Sequence, residues 1–333
     1  MSRFTSVSAL MDHLGNLTGE TSTWIYDNHP SPYVFRGLPA TGYPLRSSFA
    51  RLKKGPEFEY HLLRNFRRYY RSESNPQSDL PLWDLMSLAQ HHGLPTRLLD
   101  WTFSPLVALH FATCNMDHAA KDGALWCVNV DHVHYSLPWD LKHELDWVES
   151  SLFSTRMLTN VMLNNTYEGD SRVSIKRQLE VIRELESVRS IADADTRRQD
   201  IREQRRWASG LFKPKNADER DQFAETSTDP HNADNVYAVF FEPPSIDPRI
   251  VNQYALFSFL SSPRRDFNVW LQQHFPGGLG AHSSHPAFEM HTIGHEMKSE
   301  LRRFLDQANI TERTMFPDQD GLAAWLKRHY GAP

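Results

Sequence analysis

Three features of the chain predict an α+β fold. Short apolar runs bounded by Gly, Pro, Ser and Asn read as strands. Longer stretches with apolar residues at helical spacing read as helices. An apolar content of 40% over 333 residues gives both kinds of element a core to bury against. From the start, residues 4–17 carry Val7, Leu10, Leu14 and Leu17 on one helical face. Trp24–Tyr26 and Tyr33–Phe35 are strand signals separated by a Pro-Ser-Pro turn. Arg36 is expected at the end of the second, with Gly37 freeing the backbone to turn or to admit a ligand. Residues 56–72 form a helix opened by Pro56, with Phe58, Leu62, Leu63 and Phe66 inward, and a loop follows at 72–81. Residues 82–91 form a second helix, stopped by Gly93 and Pro95. Thr96–Trp101 reads as a short strand, after which Ser104 at the N-cap and Pro105 at the first helical position open a helix to Thr113. Gly123–Val130 is a buried strand.

From about 136 to 235 the composition turns polar and rich in Arg, Glu and Asp. This stretch is expected to be a helical insertion, including Val173–Val188 and the charged block Asp193–Arg206, with 213–235 as a loop leading back to the core. Strand character returns at Val236–Phe241 and Tyr254–Leu260. Gly277–Gly280 with Ser283 and Ser284 mark a flexible loop, and Lys298–Ala308 and 321–330 are closing helices. A single domain over 1–333 is expected, its core built from 20–135 and 236–333 and its insertion from 136–235.

A net charge of −5 excludes the global basic field of a DNA-coating protein and leaves room for a local basic groove. Two cysteines, Cys114 and Cys127, make neither a disulfide framework nor a zinc site by themselves, and a reducing, cytoplasmic setting is expected. The first residues lack an apolar leader core, and no apolar run is long enough for a bilayer, so no membrane partner is expected. Aromatics at 12% serve either a large core or base-stacking surfaces.

Chemistry concentrates in Phe35-Arg36-Gly37 and in the run from Gln90 to Thr102. The second places an amide, two imidazoles, a guanidinium, a carboxylate, an indole and hydroxyls within thirteen positions. Buried polar groups need partners, so such density marks a site. Arg36 offers a permanently charged fork suited to a pyrophosphate, or a structural partner for Asp100. His91 and His92 diverge on a helix and match no metal spacing, so no metal is expected. One imidazole either contacts a ligand or caps the helix end. On a strand, Thr96 and Asp100 share one face and Arg97 the other, which argues against an Arg97–Asp100 pair. Trp101 either stacks on a ligand ring or packs in the core. Arg249 and Gln253 share a face if their turn is helical. The Asp193–Arg206 block is either a solvated face or a partner surface.

These motifs resemble the FRG-domain family, named for the tripeptide at Phe35–Gly37. The likeness runs through Trp83–Ala112, resumes at Arg249-Ile250-x-x-Gln253-x-x-x-Phe257, and ends at Met315-Phe316-Pro317-Asp318-x-Asp320-Gly321-Leu322. The order of elements in turn resembles the ADP-ribosyltransferase fold. The resemblance implies a split, mixed or antiparallel β core with surrounding helices. It also implies transfer of ADP-ribose from NAD to a macromolecule, RNA ahead of protein, in an anti-phage toxin setting with an antitoxin or chaperone as a further partner. It assigns catalysis to Arg36, Thr102, Gln253 and Asp100. It assigns NAD contacts to Arg36, Gly37, Gln90, His91, His92, Thr96, Arg97 and Trp101. The fold's glutamate position holds Ala255, with Gln253 beside it; Asp100, Glu242 and Glu289 are the carboxylates that could replace the glutamate. The alternative is a nucleotide-sensing or protein-binding module of the same fold without catalysis.

Overall fold

The computed structural model describes residues 2–19, 31–53, 57–70, 80–138, 141–142, 144–145, 150, 152–165, 176, 178–182, 236–244, 247–278 and 286–331. The expected strand at Trp24–Tyr26, the charged block Asp193–Arg206 and the loops at 213–235 and 279–285 lie outside them, as does most of the 72–81 loop.

The first described elements are β1 (Arg3–Phe4) and α1 (Val7–Thr18), which buries Val7, Leu10, Leu14 and Leu17 as its spacing requires. Next come β2 (Tyr33–Leu38), α2 (Glu57–Tyr69), α3 (Leu82–His91) and β3 (Leu99–Thr102). Helix α3 ends where Gly93 takes φ +78°. Helix α4 (Pro105–Thr113) is capped by Ser104, whose side chain accepts a hydrogen bond from the Val107 amide. Strand β4 (Gly123–Asn129) is buried throughout and runs into α5 (Val130–Tyr135). Then follow β5 (Phe153–Ser154), α6 (Thr155–Asn165), β6 (Ala238–Glu242), α7 (Pro248–Asn252), β7 (Ala255–Leu260) and α8 (Phe267–His274). The chain closes with β8 (Phe288–Ile293), α9 (Lys298–Gln307), α10 (Glu312–Met315) and α11 (Gln319–Gly331).

One sheet of eight strands orders them β1-β8-β4-β2-β3-β7-β6-β5. The outermost pairs, β1 with β8 and β5 with β6, are parallel and the others antiparallel. The fold is therefore α+β with a mixed sheet. Strand β2 pairs with β4 from Tyr33↔Asn129 to Leu38↔Ala124, and β3 pairs with β7 along its whole length. Between β2 and β3, however, only Phe35↔Thr102 is in register. The sheet is two well-paired halves joined at one point.

The core follows this division. On one face the β1-β8-β4-β2 half packs α1, α4 and α9 through Leu10, Phe35, Leu109, Leu125 and Leu301. The other half packs α3 and α6 through Trp83, Met86, Leu158, Phe241 and Phe259. By register, Phe35, Thr102 and Phe257 lie on that same face, so Thr102 stands between the two clusters at the junction. The opposite face carries one continuous cluster that includes Val34, Trp101, Trp126, Phe240 and Trp270.

Three expectations change. Arg36 lies inside β2, which continues to Leu38, and not at its end. The strand expected from Thr96 begins at Leu99, because Thr96 turns its hydroxyl back to accept from the Leu98 amide at 3.2 Å. The described part of 136–235 is not helical alone: β5 is an edge strand. Leu137, Phe153, Val161, Leu179 and Ile182 belong to the cluster around Trp83.

Candidate functional site

Where β2 and β3 part, a cavity of about 440 Å³ opens, within the ordinary range for small-molecule clefts. Arg36 and Gly37 border it from β2, Asp100 and Thr102 from β3, and Gln90 and His91 from the end of α3. The turn from Arg249 to Gln253 and the rings of Phe111 and Phe316 complete it.

In an unbroken antiparallel pair Asp100 would sit opposite Gly37. Here Asp100 is free of β2, and its main-chain carbonyl accepts a hydrogen bond from Arg36 Nη1 instead. The same nitrogen lies 3.6 Å from Asp100 Oδ2. Arg36 Nε is buried and meets no hydrogen-bond partner among the described residues. Burial pushes the Arg36 pKa down; Asp100 opposes that, and the nearby Arg51 charge reinforces it. Asp100 is aimed by a relay: the Thr96 hydroxyl donates to Gln90 Oε1, and Gln90 Nε2 donates to Asp100 Oδ1 at 2.7 Å. The relay fixes which end of the Gln90 amide faces which neighbour.

Across the cavity, α7 is helical, so Arg249 and Gln253 do share a turn, and the Gln253 amide N–H donates to the Arg249 carbonyl at 2.9 Å. Gln253 Nε2 donates to the Met315 carbonyl at 3.1 Å, while the Gln253 carbonyl accepts from Thr102 Oγ1 at 2.7 Å. The Arg249 guanidinium pairs with Asp318 and lies over the Phe316 ring, 5.5 Å from its centre. Asp318 also caps α11, accepting from the Gly321 amide at 2.8 Å. A Cβ at Gly321 would stand 1.9 Å from the Phe316 carbonyl oxygen. The segment 315–321 is thus a folded wall that seats Phe316 in the cavity.

Not every expected residue reaches this place. Arg97 is fully buried in a two-pronged pair with Glu59, at 2.8 and 2.5 Å, and also donates to the Ser261 carbonyl at 3.2 Å. It is a core ion pair and cannot turn to a ligand. Trp101 borders the cavity, but its ring packs on Phe240 and Phe267 and its N–H donates to Ser258 Oγ at 2.7 Å. Of the two readings for Trp101, the core reading is the observed one. Thr96 is buried behind Gln90 and acts through it. His91 borders the cavity, 3.1 Å from Asp247, whereas His92 is exposed at the helix end beside Phe66 and Tyr70. Of the three carboxylates considered, Asp100 borders the cavity and Glu242 and Glu289 do not. Gly37 has a different cause from the one expected: a Cβ there would stand 1.7 Å from the Ala108 carbonyl oxygen, so it lets α4 lie directly on β2. Arg51 was missed, since nothing in its local sequence separates it from any surface arginine.

Fold and cavity define an α+β protein whose sheet divides around a cleft with apolar walls that bear a guanidinium, a carboxylate and amides. Residues 31–121 match the model of the FRG domain, a span that runs from β2 through α4 and supplies the Arg36, Gln90, Asp100 and Phe111 walls. No curated protein and no solved structure matches the chain.

Proposed function

We propose that the chain is an ADP-ribosyltransferase-like enzyme that takes NAD as substrate and transfers ADP-ribose to a macromolecule, RNA ahead of protein, in a bacterial anti-phage setting. The observation that carries this reading is that Arg36, Asp100, Thr102 and Gln253 border one cavity, at the one place where the sheet divides. A diphosphate placed against Arg36 would give the unpaired Nε an acceptor. The Arg51 charge, which bears on Arg36, favours the same anion. Asp100 then takes the part of the absent glutamate. As the nicotinamide–ribose bond breaks, positive charge grows on the ribose, and an anion aimed at it lowers the barrier. A charge pair about 4 Å apart at an effective dielectric near 20 is worth about 4 kcal/mol, roughly 10³-fold in rate. Asp100 is more than half exposed, which discounts that figure. Gln253 carries no charge and serves a hydroxyl. RNA leads as acceptor because Tyr254, beside Gln253, is exposed and can stack on a base.

The test is incubation of the purified chain with labelled NAD and total RNA or lysate. Label should move to RNA. Asp100→Asn should lower the transfer rate about 10²-fold while leaving NAD affinity within a few-fold, and Arg36→Ala should abolish NAD binding with little change in melting temperature. Transfer that is equally fast in Asp100→Asn contradicts the assignment.

One observation favours a second reading, a nucleotide sensor without catalysis. Asp100 is already engaged by Gln90 and Arg36, and Ala255 stands at the glutamate position. Saturable NAD binding with no transfer to any acceptor selects the sensor.

A further inference from the structure

Away from the cavity, α1 and β8 bring three ligand-type side chains together. His13 Nε2 lies 3.0 Å from Glu289 Oε2 and 3.0 Å from His291 Nε2, and His291 Nε2 lies 2.8 Å from the same Glu289 oxygen. Glu289 and His291 are two apart on a strand and so project from one face. His13 comes from the helix packed over that face, one turn beyond the buried Leu10. We infer that His13, Glu289 and His291 form a binding site for a divalent transition-metal ion of the zinc class.

Hydrogen-bond bookkeeping is the first argument. Three atoms touch along three edges, and each imidazole Nε2 carries one proton or none. If both carry one, two N–H groups confront each other across the 3.0 Å edge between the histidines. If either is bare, its lone pair faces the carboxylate oxygen, at 3.0 Å for His13 or 2.8 Å for His291. No placement of protons satisfies all three edges; a cation at their centre does. Spacing is the second argument. Zinc binds imidazole nitrogen at about 2.0–2.1 Å, which sets tetrahedral ligands about 3.3 Å apart. The observed triangle is a few tenths of an ångström tighter, and His13 and Glu289, each partly exposed, have room to give. Burial is the third. The His291 side chain is 4% exposed, and the hydrogen-bond distances its Nε2 makes among the described residues are to His13 and Glu289. A buried polar atom left facing an unmatched lone pair or N–H costs free energy that packing alone does not return, and a metal bond at Nε2 offsets it.

The donor set sets the ion class. Two imidazoles and one carboxylate suit zinc and its first-row neighbours, and not the all-oxygen shells of calcium or magnesium. The cluster of Asp122, His295 and Glu296 makes a useful contrast. There Arg3 donates to Asp122 at 3.0 Å and to Glu296 at 2.7 Å, so a guanidinium already supplies the positive charge. No cation among the described residues enters the triangle of His13, Glu289 and His291 in that way. From the sequence no metal is expected, since His91 and His92 match no ligand spacing; the residues of this triangle are separated by 276 and 278 positions. A bound ion would tie the N-terminal helix to the sheet, and the partial exposure of His13 and Glu289 leaves it a side open to water.

The experiment is zinc titration of the full chain, first stripped with a chelator, in competition with a chromogenic indicator. Cobalt is used in parallel as a spectroscopic probe. Wild type should take up one ion per chain, unopposed by excess magnesium or calcium, and its melting temperature should rise with zinc concentration. His13→Ala and Glu289→Gln should each weaken uptake by more than the roughly 10–100-fold that loss of an outer-shell partner costs, and abolish the zinc-dependent rise. Metal-free, both should melt within a few degrees of wild type; if His13→Ala does not fold, Glu289→Gln decides. No stoichiometric uptake by wild type, or uptake unchanged in both variants, overturns the site.

Discussion

His110 shows how much one buried side chain can dictate. It is fully buried on α4, and its Nδ1 accepts a hydrogen bond from Arg302 Nη1 at 2.9 Å, so that nitrogen must be bare. Burial first, and then the Arg302 charge, pull its pKa from 6.5 down to about 4; Glu312 pulls the other way and Arg328 adds to the lowering. A histidine whose pKa is depressed in the folded state favours folding while it stays neutral. Its contribution is complete above pH 6.5 and is lost as pH falls through the window toward 4, because the unfolded chain binds the proton first. The loss is on the order of 3 kcal/mol at the bottom of the window. Urea midpoints taken between pH 7 and pH 5 should therefore fall in wild type and stay flatter in His110→Gln, whose amide oxygen still accepts from Arg302. Parallel profiles would remove His110 from that role. Arg97 carries a related lesson about legibility. It looked like a ligand group because its partner, Glu59, lies 38 positions away, at the head of the α2 face that carries Leu62, Leu63 and Phe66. Arg36, Asp100 and Gln253, grouped by the resemblance their motifs carry, border one cavity.

At the level of elements, strong local signals read true. The helix 82–91 has the bounds its apolar pattern and Gly93 imply, and Ser104-Pro105 caps α4. What escaped was whatever only tertiary pairing holds. β1 and β5 are two residues each and exist through their neighbours. β8 was missed because Glu289 and His291 make its core-facing side polar. α7 spans five residues, too short to show a period. Helix α4 lies on β2 at Gly37 without room for a side chain: a Cβ there would overlap the Ala108 carbonyl and crowd the Ala112 amide at 2.8 Å. Gly37→Ala should cost about 3 kcal/mol or more, the upper end of overpacking penalties, since helix backbone cannot yield as a side chain would. Gly15→Ala is the control. It sits inside α1 with nothing within 4 Å of its added Cβ, and it should gain about 0.5–1 kcal/mol. Urea unfolding of both proteins checks the pair; a Gly37→Ala midpoint equal to wild type would contradict the packing account.

For the whole molecule, the divided sheet is the organising feature. Two helical layers are anchored to separate halves, one continuous core backs them both, and the seam between them is left open as a cavity. The chain then brings Arg249–Gln253 and the 315–321 segment, distant in sequence, to wall the seam. No helix among the described residues is long and apolar enough to cross a membrane. The account stands on a dinucleotide occupying that seam. A crystal structure of the chain grown with a non-hydrolysable NAD analogue tests it most directly. The account predicts the diphosphate on Arg36 between β2 and β3, with the ribose beside Asp100. Ligand density elsewhere on the molecule, or an empty seam at saturating analogue, would contradict it.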